Sequence, residues 1–150
     1  MSTVAEAIGY EYVNLNEVDP TMKPVPKDYY TLKILKAEMK NTTYKTGDKA
    51  GQPLAFVKFS LAITDHPEFA GRRIFPKPLF DGNSSYKKLR RLMDATGIPQ
   101  DAGQPLDAWL AVLSEQQPTF KGPVIQVADR RDPSVMDNDV DFWGVAPAIG

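Results

Sequence analysis

Residues 54 to 64 read LAFVKFSLAIT, and the alternation in that stretch decides the fold. Ala55, Val57, Phe59, Leu61 and Ile63 fall on one side of an extended chain, while Phe56, Lys58 and Ser60 fall on the other, because successive side chains of a strand point to opposite faces. The odd-numbered side is the core face of a strand. The even-numbered side carries an aromatic ring and a cation on the surface that the core does not use.

Working outward, the segments on either side extend the pattern. Upstream, Tyr30, Leu32 and Ile34 share a face, after which Leu35, Ala37 and Met39 continue the apolar series one residue out of phase. A single phase slip inside a long strand is the signature of a β-bulge, which bends the strand as a small barrel requires. Asn41 to Pro53 (NTTYKTGDKAGQP) reads as the loop between the two strands. Downstream of a turn at Asp65 to Gly71, RRIFPKPLF reads as a third strand; Pro76 and Pro78 cannot donate ladder hydrogen bonds, so it is confined to an edge or ends early. Helical periodicity follows, with Asn83 or Ser84 as cap, Tyr86, Leu89, Leu92 and Met93 as the apolar stripe, and Gly97 and Pro99 as the stop. A second short helix spans about Leu106 to Ser114 and buries Trp109, Leu110 and Leu113; strands at about 120–128 and 140–145 complete the chain.

Strand, strand, strand, helical insert, strand, strand is the plan of the oligonucleotide/oligosaccharide-binding (OB) barrel. The expected fold is therefore mainly β: a five-stranded OB-type barrel with a two-helix insert between strands 3 and 4, occupying residues 29–150. Residues 1–28 are acidic and punctuated by Pro20, Pro24 and Pro26, and read as an extended N-terminal arm that Tyr10, Tyr12, Val13 and Leu15 could pin to the core.

The charges are sorted along the chain. Residues 1–22 hold four acids and no base, residues 23–91 hold 15 bases against 6 acids, and residues 92–150 hold 3 bases against 9 acids, so segments of −4, +9 and −6 make up the net −1. A block at +9 suits a polyanion, since each phosphate neutralised by Lys or Arg releases condensed counterions; two solvated faces of opposite sign are the alternative. There is no cysteine, hence neither a disulfide framework nor a thiolate metal site. The start MSTVAEAIGYEY lacks a basic segment followed by an apolar one, and no apolar run approaches membrane-spanning length. A cytoplasmic chain with no membrane partner is expected.

Catalytic readings find little support in these residues. His66 is the sole histidine, so neither a His-based metal cluster nor a Ser-His-Asp triad can be assembled. Asp137, Asp139 and Asp141 alternate, but the calcium-loop pattern needs Gly where Phe142 stands and an acid where Ala148 stands. A solvated turn before the last strand is the plainer account of these acids, and neither metal nor cofactor is expected. Binding finds more, because single strands are held on aromatic platforms set in a groove of positive charge. Phe56 and Lys58 lie on the non-core face of the second strand, Arg73, Phe75 and Lys77 alternate on the third beside Arg72, Tyr44, Lys45 and Lys49 sit in the first loop, and Lys33 and Lys36 flank them from the first strand. Lys87, Lys88, Arg90 and Arg91 on the first helix are either a solvated face or a secondary basic patch.

The succession PVPKDYYTLKILKAEMK, a Gly-containing loop, a hydrophobic strand, EFAGRRIFPKPLF, a helix ending DATGIP and a closing GPVIQVADRRDPSVMDNDVDFW resembles small phage-encoded proteins of recombination and replication regions, regarded as single-stranded-DNA-binding proteins of the OB fold. The likeness is one of order and texture over roughly residues 10 to 147. It implies non-catalytic, largely sequence-independent binding of single-stranded DNA in the host cytoplasm, beside recombination or replication proteins, with homo-oligomerisation left open. Bacterial single-strand binders typically end in an acidic tail closed by Phe, whereas this chain ends in APAIG and its acid-aromatic run DNDVDFW is internal. The competing readings are a protein-interaction or assembly module on the same barrel, and a metal-dependent nuclease built on Asp137 to Asp141.

Overall fold

In the computed structural model, which describes residues 14–17, 23–129 and 131–148, the elements run β1 (Asp28–Thr43), β2 (Pro53–Thr64), β3 (Arg73–Ile74), β4 (Leu79–Phe80), α1 (Asn83–Thr96), α2 (Leu106–Gln116), β5 (Thr119–Ala128), β6 (Met136–Val140) and β7 (Ala146–Pro147). All pairings are antiparallel, in the order β3-β2-β1-β5-β6, with β4 on β2 and β7 on β5. This nearly closed sheet with two helices inserted before β5 is an OB-type barrel.

The phase slip in β1 is a bulge. Its register against β2 shifts between Ile34 and Lys36, leaving Leu35 as the extra residue. Before the bulge β1 pairs with β5 on its second edge, from Asp28 opposite Val124 to Lys33 opposite Thr119. Beyond it that edge leaves β5 and is met by α2: the Ser114 hydroxyl accepts the Ala37 N–H at 2.9 Å, and the Gln117 amide donates to the Leu35 carbonyl at 3.2 Å. Backbone groups that a straight strand would leave unpaired are thereby satisfied.

The core is the inner face of this sheet capped by the helices. Leu32, Ile34, Phe59, Leu61, Ile63, Phe120 and Val124 are buried from the strands, Leu89, Leu92 and Ala95 from α1, and Trp109, Leu110 and Leu113 from α2. Phe142 packs on Phe59 with ring centroids 5.5 Å apart and the rings tilted by 40°, and the Trp109 indole donates to the Ile98 carbonyl at 2.9 Å. Gly97 ends α1 in the left-handed conformation, as its position after the stripe predicts. No helix among the described residues is long and apolar enough to cross a membrane.

Four expectations are corrected. The third strand is two short pairings, Arg73–Ile74 and Leu79–Phe80, because Pro76 and Pro78 interrupt the ladder between them. Helix α1 has Gly82 rather than Asn83 or Ser84 at its cap and no side-chain cap hydrogen bond; pairing of Phe80 with β2 sets the chain so that the Gly82 carbonyl accepts the Tyr86 N–H. The last long strand is Met136–Val140, where a turn is expected, and 140–145 contains instead a 3-10 turn, Phe142–Gly144. Asn138 is the reason, for its buried side chain accepts the Val25 N–H at 2.9 Å and donates to the carbonyls of Val25 and Ile125 at 3.1 and 3.2 Å. Finally, Leu15 is 80% exposed and pins nothing, whereas Val25, at 1%, anchors the end of the arm; Tyr10, Tyr12 and Val13 lie outside the described residues.

Candidate nucleic-acid interface

The register gathers the predicted residues rung by rung on the outer face of β1, β2 and β3. Phe56 lies between Lys40 and Phe80, Lys58 lies opposite Glu38, Ser60 opposite Lys36, and Ala62 between Lys33 and Arg73. From Phe56 to Ala62 this face is about 20 Å long at a strand rise of about 3.3 Å per residue. Five cations and one acid therefore occupy the outer rungs. Glu38 bridges the two lysines nearest it, at 3.3 Å to Lys36 and 3.4 Å to Lys40. Partial burial pushes its carboxyl upward, but the hydrogen bonds and charges of Lys36 and Lys40 outweigh that and hold it below the usual carboxylate range.

Two grooves continue this face. One, of about 500 Å³, is lined by Tyr44, Lys45, Leu54, Phe56 and Phe80 at the β1–β2 loop; there Lys49 lies over the Tyr44 ring, 5.7 Å from its centre. The other, of about 360 Å³, lies between Lys58, Phe75 and Lys77 on one side and, on the other, Asp129 and Arg131 of the β5–β6 turn with Asp137 of β6. Phe75 is 55% and Phe80 40% exposed, and Phe80 packs on Phe56 with centroids 5.5 Å apart. Phe56 and Lys58, two residues apart on one strand, thus connect the grooves.

Not every predicted residue joins this surface. Arg72 is half-buried and donates to the Lys23 carbonyl at 2.7 Å, so it braces the end of the arm. On α1, Arg90 pairs with Asp94 at 3.2 Å, while Lys88 and Arg91 lie over the exposed Trp143, 5.7 and 5.3 Å from its ring centre. Three contributors were missed. Lys40 has the parity of Lys36 beyond the slip and was readable; Phe80 was hidden by the prolines that break the period, and Arg131 by its place in a turn. The three aspartates of the expected turn are each engaged by backbone N–H groups: Asp137 accepts the Asn138 N–H, Asp139 those of Lys77 and Val140, and Asp141 that of Trp143. The Lys77 contact ties the third-strand segment to β6 at the seam of the barrel. Among the described residues no group of three or more His, Cys, Asp or Glu is placed to hold a metal ion.

No family model matches this chain, and no curated protein matches it.

Proposed function

We propose that this protein binds single-stranded DNA without catalysis and largely without sequence preference, in the manner of the phage replication and recombination proteins that its sequence resembles. The observation that carries the reading is the joining of the two grooves through Phe56 and Lys58. A stacking ring and a phosphate-binding cation alternate there on one rigid strand, with Phe80 and Phe75 extending the stacking surface and Lys33, Lys36, Lys40, Arg73 and Lys77 the positive one. Each stacked base contributes on the order of 1 to 3 kcal/mol irrespective of its identity. Phosphate contacts fix the strand without reading sequence. The β1–β2 loop and the β5–β6 turn stand at the two ends, where OB folds ordinarily hold their ligands.

Fluorescence anisotropy with labelled oligo(dT) at two salt concentrations tests the proposal. Saturable binding whose log affinity falls with log salt by about 0.7 per phosphate neutralised supports it. A second reading, a protein-interaction module, draws on the exposed Met39, Phe80 and Tyr86 beside a crevice that Leu89 and Leu106 line. Absence of oligo(dT) binding at low salt would favour that reading.

A further inference from the structure

Tyr29 and Trp143 are large aromatic side chains exposed at 61% and 42%, and neither lines the two grooves described above. Trp143 is held in place from several directions. The neighbouring Phe142 is buried on Phe59, the Asp141 carboxylate accepts the Trp143 N–H at 3.0 Å, and Arg91 donates to the Trp143 carbonyl at 3.1 Å. Gly144 closes the turn against β5: a Cβ there would come within 2.7 Å of Pro123 and 3.3 Å of the Tyr29 hydroxyl. The two aromatic residues therefore flank one tight turn. Lys88 and Arg91 lie over the indole, and Asp141 is the acid in that turn.

The register supplies a path to this place. Tyr30, Leu32 and Ile34 point inward, so Tyr29, Thr31 and Lys33 point outward; on β5, Phe120, Gly122 and Val124 are buried, so Lys121 and Pro123 point outward beside them. Lys33 shares a rung with Ala62 and Arg73 of the first face. Lys121 lies opposite Thr31 on the next rung toward Tyr29, and Pro123 opposite Tyr29. From Lys33 to Tyr29 is about 13 Å along the strand. A chain leaving the first face at Lys33 meets Lys121, then Tyr29, then Trp143 with its two cations.

Resting on the function proposed above, we infer that Trp143, Tyr29, Lys88 and Arg91 form a second stacking and phosphate-binding locus, which engages single strands too long for the first face and makes them wrap the barrel through Lys33 and Lys121. A rigid, exposed indole next to paired cations is the element that sequence-tolerant single-strand binding uses. On the basic helix face Arg90 is paired with Asp94, whereas Lys88 and Arg91 lie over the indole, Arg91 also donating to the Trp143 carbonyl.

Tryptophan emission reads this locus directly, since the other tryptophan, Trp109, is 2% exposed. The experiment titrates the full chain with oligo(dT) of about 10 and about 30 nucleotides, lengths on either side of one OB-fold site, following emission and the anisotropy of labelled DNA together. The longer oligonucleotide is expected to quench Trp143 and the shorter to bind with little change in emission. Trp143→Leu should weaken the longer one by at least about fivefold and leave the shorter unaffected. Lys88→Glu and Tyr29→Ala, at exposed or half-exposed side chains whose loss spares the core, should do the same, with melting curves recorded for all three. Binding of both lengths without quenching, or with equal affinity in all three variants, overturns the second locus and leaves the first face standing. Failure of both lengths to bind overturns the two together.

Discussion

Replacing Glu38 by Gln should tighten binding to single strands, a gain that misfolding could not mimic. Glu38 sits at the middle of the outer face, opposite Lys58 in register and bridging Lys36 and Lys40. On the proposed function, its carboxylate would compete with phosphate for two of the five cations on the rungs. A unit charge about 6 Å from a bound phosphate costs roughly a threefold loss of affinity in water-like dielectric, so that much should be regained. Each lysine released to a phosphate should steepen the slope of log affinity against log salt by about 0.7. The wild-type slope follows from the same face: Lys33, Lys58, Arg73, Lys77 and the net charge of the Lys36, Lys40 and Glu38 trio give about five phosphates, a slope near −3.5, and a loss of about 100-fold between 50 and 200 mM salt. Little stability should change, because the lysine ends of these ion pairs are solvent-exposed and Glu38 is only partly buried. Acid should reproduce the effect. A carboxyl held below its ordinary 4.5 stays charged until the pH falls through that lowered value. Its pairing stabilises the fold above the ordinary value and is lost below the lowered one, where affinity for DNA should rise. Anisotropy titrations of both proteins at matched salt decide it; unchanged or weaker binding by Glu38→Gln, with an unchanged slope, would refute phosphate binding on this face.

Other outcomes follow from the same geometry. Phe75→Ala should weaken oligo(dT) binding by about 5- to 100-fold with an unchanged melting temperature, since the ring is mostly exposed. Phe56→Ala should also weaken it but lower the melting temperature, because that ring is half-buried against Phe80; an effect on stability alone in both variants would make the rings structural. Asn138→Ala should cost about 2 to 4 kcal/mol in urea denaturation, since it abolishes three hydrogen bonds to buried backbone. A loss within experimental error would show that the arm is anchored by Val25 packing alone.

What could be read from the sequence followed from periodicity. The switch of phase at Leu35, the alternation through β2 and the stripe of α1 each reflect burial on one side of a regular element, and the barrel order came from these. The features that escaped reading arise where a long-range partner overrides local pattern. Asp137, Asn138 and Asp139 look like a turn because strand propensity disfavours them, yet Asn138 occupies a core position whose polar partners lie in the arm and β5. Proline broke the alternation that would have aligned Phe80 with Phe56. Of the candidate interface, Phe56, Lys58, Arg73 and Phe75 were legible from parity, while the pairing of Glu38 with Lys36 and Lys40 and the meeting of Trp143 with α1 required the register and the turn at Gly144.

The central claim is that the strand lies on the outer face of β1, β2 and β3, and two double charge reversals test it most directly. Lys58→Glu with Arg73→Glu changes net charge as much as Arg90→Glu with Arg91→Glu, so long-range fields are matched and local contact alone separates them. The measurement is the affinity for an oligo(dT) of about 10 nucleotides, short enough to occupy a single barrel face. The account predicts a loss of at least about tenfold for the strand pair and no more than about threefold for the helix pair. Equal losses, or a larger loss for the helix pair, would contradict it.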